Sequence, residues 1–226
     1  MVKRANYVQL AMTNEQKSEL LNIVNSYKYM GFEYLDSLTF NKREFEKNTL
    51  PDNIDQLENY VSHCALCTLQ SNRDQFIFGL GDKNSKIYIV GLNHFSLKSD
   101  VIFDSFRNMC EKVLLVNMDE IYITNILKCS VNLNSSQVEE SIEICIDYLK
   151  KQLELAKPDI IITLGEAYNK MMNSNENISD ISGNIYDYNS IKLLPIMHPE
   201  FIYKNPSYKL QMLNDLKKIK NILEKQ

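Results

Sequence analysis

Four short runs rich in β-branched and aromatic residues recur along the chain: KIYIVG at 86–91, EIYITNILKC at 120–129, DIIITLG at 159–165 and IKLLPIMHP at 191–199. Helical periodicity fills the intervals, over residues 104–116, 137–156 and 166–173, and returns after the last run at 206–224. Strands that alternate with helices predict a parallel sheet with helices on both faces, because each connection must cross back over the sheet to begin the next strand. The segment GNIYDYNS at 183–190 reads as a turn or a β-excursion ahead of the last run.

Upstream of residue 50 the pattern differs. Residues 13–30 read as an amphipathic helix with Thr13 at its cap, Leu20, Leu21, Val24 and Tyr27 on one face and Gly31 at its end. A second helix is expected from Ile54 to His63, after a polar stretch that finishes at Pro51. The boundary therefore falls near 50, with an N-terminal helical extension at 1–50 and the main domain at 51–226. No run reaches 18 apolar residues and the first residues turn polar too soon for a signal peptide, so a cytoplasmic chain without a membrane partner is expected. With 44% hydrophobic and 24% charged residues the composition is that of an ordinary globular protein, which excludes a disordered or fibrous one. The net charge of −4 offers no general attraction to nucleic acid. Phosphate binding would need a local basic surface, and charge alone favours a small-molecule enzyme.

In a reducing compartment the five cysteines do not make a disulfide framework. Cys64 and Cys67 form a C-x-x-C, which sets two sulfurs on one small loop, and Cys129 and Cys145 add two more. Four thiols suit zinc or an iron–sulfur cluster, while the C-x-x-C alone fits a redox dithiol equally well. Cys110 stands apart and reads as core.

Taken in order, the motifs resemble the uracil-DNA glycosylase superfamily, and most closely its iron–sulfur, family-4 type. They are CALC followed by Arg73 and the Gly79-x-Gly81 step, then IYIVG, YITNILKC, EICIDYL, PDIIITLGEAY and IMHPEFIYKNPSYK, which together span residues 60–223. The resemblance implies a three-layer α/β/α sandwich around a four-stranded, mainly parallel sheet, with its site at the carboxyl ends of the strands. It also implies a 4Fe-4S cluster on Cys64, Cys67, Cys129 and Cys145, with zinc as the alternative. The implied partner is DNA carrying uracil or another deaminated base, and the implied state is a monomer. The first catalytic motif departs from the type: GLNHFSLKSD replaces a Gly-Glu-Ala-Pro-Gly-like run, and Leu92 stands at the acidic position. Gly91-Leu92-Asn93 is similar to the Gly-Ile-Asn opening of the mismatch-specific branch, which makes Asn93 the residue expected to position water.

Carried over residue by residue, the resemblance makes His198 the hydrogen-bond donor to the departing base and Asn125 the reader of its edge. Phe95 is expected to pack in the pocket, and Phe103 lies near the place of the stacking phenylalanine, with core packing as the favoured reading of its ring. Phe201, Tyr203 and Lys204 fall in the loop that would prop the gap left by a flipped nucleotide. Arg73, Lys204 and Lys209 are the expected phosphate contacts, with Glu200 an unusual negative charge among them. Two functions follow: a repair glycosylase hydrolysing the N-glycosidic bond, or a catalytically lapsed iron–sulfur DNA-binding protein of the same fold. The GLNHFS departure separates them.

Overall fold

Successive residues of a strand point to opposite faces, and in the predicted runs both sets are apolar, so each strand must be covered on two sides. The computed structural model describes residues 14–29, 50–67, 69, 73, 75–93, 101–130 and 135–224, which divide into units at 1–49 and 50–226. The first unit contributes α1 (Asn14–Tyr29); its expected cap Thr13 and stop Gly31 lie outside the described residues.

The second unit contains seven strands among the described residues: β1 (Gln75–Phe76), β2 (Ile87–Gly91), β3 (Tyr122–Asn125), β4 (Cys129–Ser130), β5 (Ile160–Leu164), β6 (Tyr186–Tyr188) and β7 (Ile191–Ile196). Five form the central sheet in the order β3-β2-β5-β7-β6, with the first four parallel and β6 antiparallel to β7. The helices are α2 (Ile54–Ser62), α3 (Val101–Leu114), α4 (Ser135–Ala156), α5 (Ala167–Met172), α6 (Ile178–Ile181), α7 (Pro199–Lys204) and α8 (Lys209–Leu223). On one face Ile87, Ile89, Ile123 and Ile162 pack against Phe106 of α3 and Leu216 of α8. On the other, Tyr88, Tyr122 and Ile161 pack against Leu149 of α4 and Tyr168 of α5. The result is an α/β sandwich. Among the described residues no helix is long and apolar enough to cross a membrane.

Three features differ from the sequence reading. The sheet has five strands instead of four, because GNIYDYNS supplies β6. Asn189 (φ 51°) and Ser190 (φ 69°) form a two-residue turn with both φ positive, the geometry that joins tightly paired antiparallel strands. Second, EIYITNILKC is not one strand. β3 ends at Asn125, and Ile126 N–H and Leu127 N–H then donate to Gly91 O (2.9 Å) and Leu92 O (3.0 Å), carrying the chain across the end of β2. Cys129 emerges on β4, paired with β1 in a separate two-stranded sheet. The segment expected as an insertion loop also acquires a short helix, α7, with Pro199 at its first position.

Ile162 is fully buried in the middle of the central sheet. Ile162→Ala is expected to lower stability by about 3 kcal/mol, since the cavity adds to the lost transfer free energy; urea unfolding measures it.

Candidate functional site

The parallel register ends β2, β3, β5 and β7 at a common edge, with Gly91 opposite Asn125 and Leu164 opposite Ile196. Beyond this edge the loops enclose a cleft of about 500 Å³ whose lining includes Leu92, Asn93, Glu166, His198, Glu200 and Phe201. His198 caps α7: its Nδ1 accepts from the backbone N–H of Glu200 at 3.3 Å. Burial pushes its pKa below the ordinary 6.5. The ring is therefore neutral at neutral pH, and with Nδ1 accepting, its hydrogen sits on Nε2. Gly165 makes the approach possible: its φ is +55°, and a β-carbon there would lie 3.2 Å from His198 Cβ.

Asn125 is buried at the end of β3. With its amide oriented to suit the surrounding acceptors, Nδ2 donates to Asn93 O at 2.8 Å and Thr124 O at 3.1 Å. Both amide hydrogens are thus spent on the backbone, and Oδ1 remains as the acceptor. Gly91 stands beside this amide, and a β-carbon at 91 would fall 2.7 Å from it. Asn93 is exposed in the cleft, on the loop that Asn125 holds.

The aromatic expectations divide. Phe103 is 5% exposed and packs in the core beneath α3, with the Arg107 guanidinium 5.5 Å over its ring, so it does not line the cleft. Phe95 lies outside the described residues, as does His94. Phe201 lines the cleft at 41% exposure and meets Tyr208 edge-on at 5.2 Å. Tyr203 is exposed at the rim of a neighbouring groove, and Lys204 and Lys209 are exposed.

The four cysteines come from three segments that approach one another at the far end of the β3–β4 segment. Cys64 and Cys67 follow α2, Cys129 lies on β4 and Cys145 on α4. A hydrogen bond with Cys67, followed by burial, pushes the Cys145 thiol far up, and the charges of Cys67 and Cys64 act on both Cys145 and Cys129. Burial also raises Cys64, which accepts from Tyr148 Oη at 3.4 Å. Among the described residues no three His, Cys, Asp or Glu side chains are set to hold a metal ion. Arg73, expected at a phosphate, hydrogen-bonds Cys129, and among the described residues its buried Nη1 has no hydrogen-bond partner. In donor chemistry, though not in their present spacing, four thiols suit a thiolate–metal group.

The family model described as the Uracil DNA glycosylase superfamily matches residues 78–217. The chain belongs to that superfamily. It is 26% identical over 183 residues to the type-4 uracil-DNA glycosylase of Archaeoglobus fulgidus, covering 74% of this chain and 92% of that one. With the type-4 uracil-DNA glycosylase of Saccharolobus solfataricus the identity is 29% over 189 residues, covering 76% and 87%. With that of Thermotoga maritima it is 27% over 177 residues, covering 74% and 92%.

In this superfamily member the sequence reading passed over Glu166, Gly165 and Lys128. A glycine straight after an apolar strand was the available signal for Gly165. Nothing local marks Lys128, whose burial depends on segments distant in sequence.

Two outcomes test the geometry. Gly91→Ala is expected to displace the Asn125 amide and free the Asn93 loop, lowering melting temperature by a few degrees and shifting the Asn125 side-chain amide resonances in NMR spectra. The His198 ring is expected to titrate below 6.5. Because the unfolded chain takes up the proton first, the stability this histidine contributes is complete above 6.5 and is lost as pH falls through the folded value. Unfolding experiments on wild type and His198→Gln across acidic pH measure the difference.

Proposed function

We propose that this protein removes uracil or a related deaminated base from DNA by hydrolysing the N-glycosidic bond. The observation that carries the reading is His198: a neutral imidazole, fixed by the Glu200 N–H at 3.3 Å, at the end of the last parallel strand and lining the same cleft as Asn93. Glycosidic cleavage places positive charge on the sugar and negative charge on the departing base. A preoriented Nε2–H stabilises that negative charge without giving up a proton, and one such donor contributes about 3 to 4 kcal/mol in other enzymes. Asn93 would hold the attacking water by hydrogen bonding. An amide cannot take the water's proton, so the rate would fall below that of an enzyme with a carboxylate at this position. Asn125 would accept from the base through Oδ1, and its donor side would reach the base only when Asn93 O gives way.

The target nucleotide must leave the duplex. Phe201 and Tyr203 offer exposed apolar surface on α7 to fill the gap, and Lys204 offers a phosphate contact beside them. Cys64, Cys67, Cys129 and Cys145 are the residues that would hold a 4Fe-4S cluster, or zinc in its place. Such a group would supply a covalent staple joining the end of α2, β4 and α4. The work at the base and sugar belongs to the side chains of the cleft.

A second reading, a DNA-binding protein that has lost the chemistry, is favoured by one observation: Leu92, at the expected acidic position, is half-buried against the sheet core.

The test is release of abasic product from oligonucleotides containing uracil, hypoxanthine or xanthine under single-turnover conditions. Wild type is expected to cleave the uracil substrate. His198→Ala should lower the rate by about 10² to 10³-fold, and Asn93→Ala should lower it as well. Tight DNA binding with no abasic product from any of the three would establish the second reading instead.

A further inference from the structure

The strand order β3-β2-β5-β7 sets the loop that follows β5 between the loop that follows β2 and the one that follows β7. Asn93 belongs to the first of those neighbours, His198 to the second and Glu166 to the loop between them, and all three line the same cleft. Gly165 fixes the approach on the β7 side: its N–H donates to Ile196 O at 2.8 Å, and it lies directly against His198.

Glu166 stands at the cap position of α5, yet its carboxylate makes no capping bond to that helix. Oε2 instead accepts from Asn169 Nδ2 at 3.0 Å. Asn169 is buried and fully engaged: Nδ2 also donates to Glu176 O at 2.9 Å, and Oδ1 accepts from Ser174 Oγ at 3.0 Å and from the Glu176 N–H at 3.1 Å. An amide with both hydrogens and its oxygen in use cannot turn away, so one oxygen of Glu166 is held in place. Among the described residues the other, Oε1, makes no hydrogen bond, and the side chain is exposed in the cleft. Lys170, one turn further along α5, pairs with Glu139 at 2.7 Å, which leaves Glu166 without an ion pair among the described residues.

Water that attacks a sugar has to lose a proton. Asn93 cannot take it, and Leu92 stands at the position expected to be acidic. Nδ1 of His198 is engaged by the Glu200 N–H, and its Nε2 carries the hydrogen aimed at the base. The cleft lining includes two carboxylates, Glu166 and Glu200. Glu200 follows His198 on the first turn of α7, one loop further from Asn93. Glu166 is the carboxylate between the two.

We propose that Glu166 is the general base of this cleft, supplying from the end of β5 the carboxylate that the first motif lacks. The assignment rests on the glycosylase reading and adds the group that takes the proton. As the oxygen of the water held by Asn93 bonds to the sugar C1′, the bond from C1′ to the base nitrogen breaks. The electron pair of that bond leaves with the base, where the His198 Nε2–H stabilises it. The water proton passes to Glu166 Oε1 and goes from there to solvent or to the departed base, which restores the carboxylate.

The experiment uses the full chain as wild type, E166Q, E166A and E200Q. Release of abasic product from a uracil-containing oligonucleotide is followed under single-turnover conditions, binding is measured on the same oligonucleotide without uracil, and thermal unfolding is recorded for each variant. E166Q keeps an oxygen for Asn169 Nδ2 but takes no proton, so its rate is expected to fall about 10²-fold. Its affinity for the uracil-free strand should stay level or rise, because a negative charge has left a cleft that faces phosphates. Formate, a carboxylate small enough to enter the space left in E166A, is expected to raise the rate of that variant about tenfold and to leave wild type and E166Q unchanged. A glutamate that only braces the 166–176 turn shows no such rescue. An E166Q rate equal to that of wild type would overturn the assignment. So would a loss in E166A that formate does not restore, or a larger loss in E200Q than in E166Q. Should E166A fail to fold, the rate and affinity of E166Q decide. A wild type that binds DNA and releases no base sinks the glycosylase reading and this role together, whereas an active wild type with an equally active E166Q sinks the role alone.

Discussion

The parallel hydrogen-bond ladder that sets β2 between β3 and β5 is the constraint on which the rest depends. Because the strands run in register, they end together, and their last residues become neighbours: Gly91 beside Asn125, Leu164 beside Ile196. Loops far apart in sequence then meet over one edge, which is where open α/β sheets place their ligands. The ladder persists only because both faces are buried. Isoleucines on one side and tyrosines with isoleucine on the other pack under helices, so a slip by one residue would exchange every side chain between layers.

From that edge the segment 125–129 joins two kinds of chemistry. At one end Asn125 holds the Asn93 loop through the Asn93 carbonyl, and at the other Cys129 enters the thiol cluster. Between them Lys128 turns inward to bond Thr124, Phe78 and Gln152. A polar network this deeply buried is stable only if every member is satisfied, which makes the segment stiff. The cleft is in consequence supported from behind by the same residues that approach the cysteines. His198 is supported differently, by a helix start and a glycine against which its β-carbon rests.

Much of the fold was legible because periodicity is a local property. The strands at 87–91, 160–164 and 191–196 coincide with apolar runs, and α2, α3, α4, α5 and α8 fall near their expected spans. The edge strand β6 was partly legible, since the Asn189-Ser190 pair suits a tight turn, but its pairing with β7 depends on a neighbour the run does not name. EIYITNILKC misled for the opposite reason. Its apolar pattern runs unbroken through Asn125, yet the carbonyls of Gly91 and Leu92 capture the next amides and end the strand. Phe103, near the place of a stacking aromatic but favoured as core, packs in the core; an aromatic residue near a catalytic motif can turn either to the cleft or to the core, and only the packing decides.

By itself the sequence determined the α/β class, the family, and the identities of the cysteines and the histidine, because apolar spacing and ordered motifs are written in the chain. Only the tertiary structure decided that Arg73 turns to Cys129, that the Asn125 amide is engaged by Asn93, and that Lys128 is buried with its amine on Thr124, Gln152 and Phe78 O. The physical reason is that charge and hydrogen-bonding partners are set by distance through space. Residues separated by dozens of positions along the chain, such as Phe78 and Lys128, become partners only after the sheet has closed.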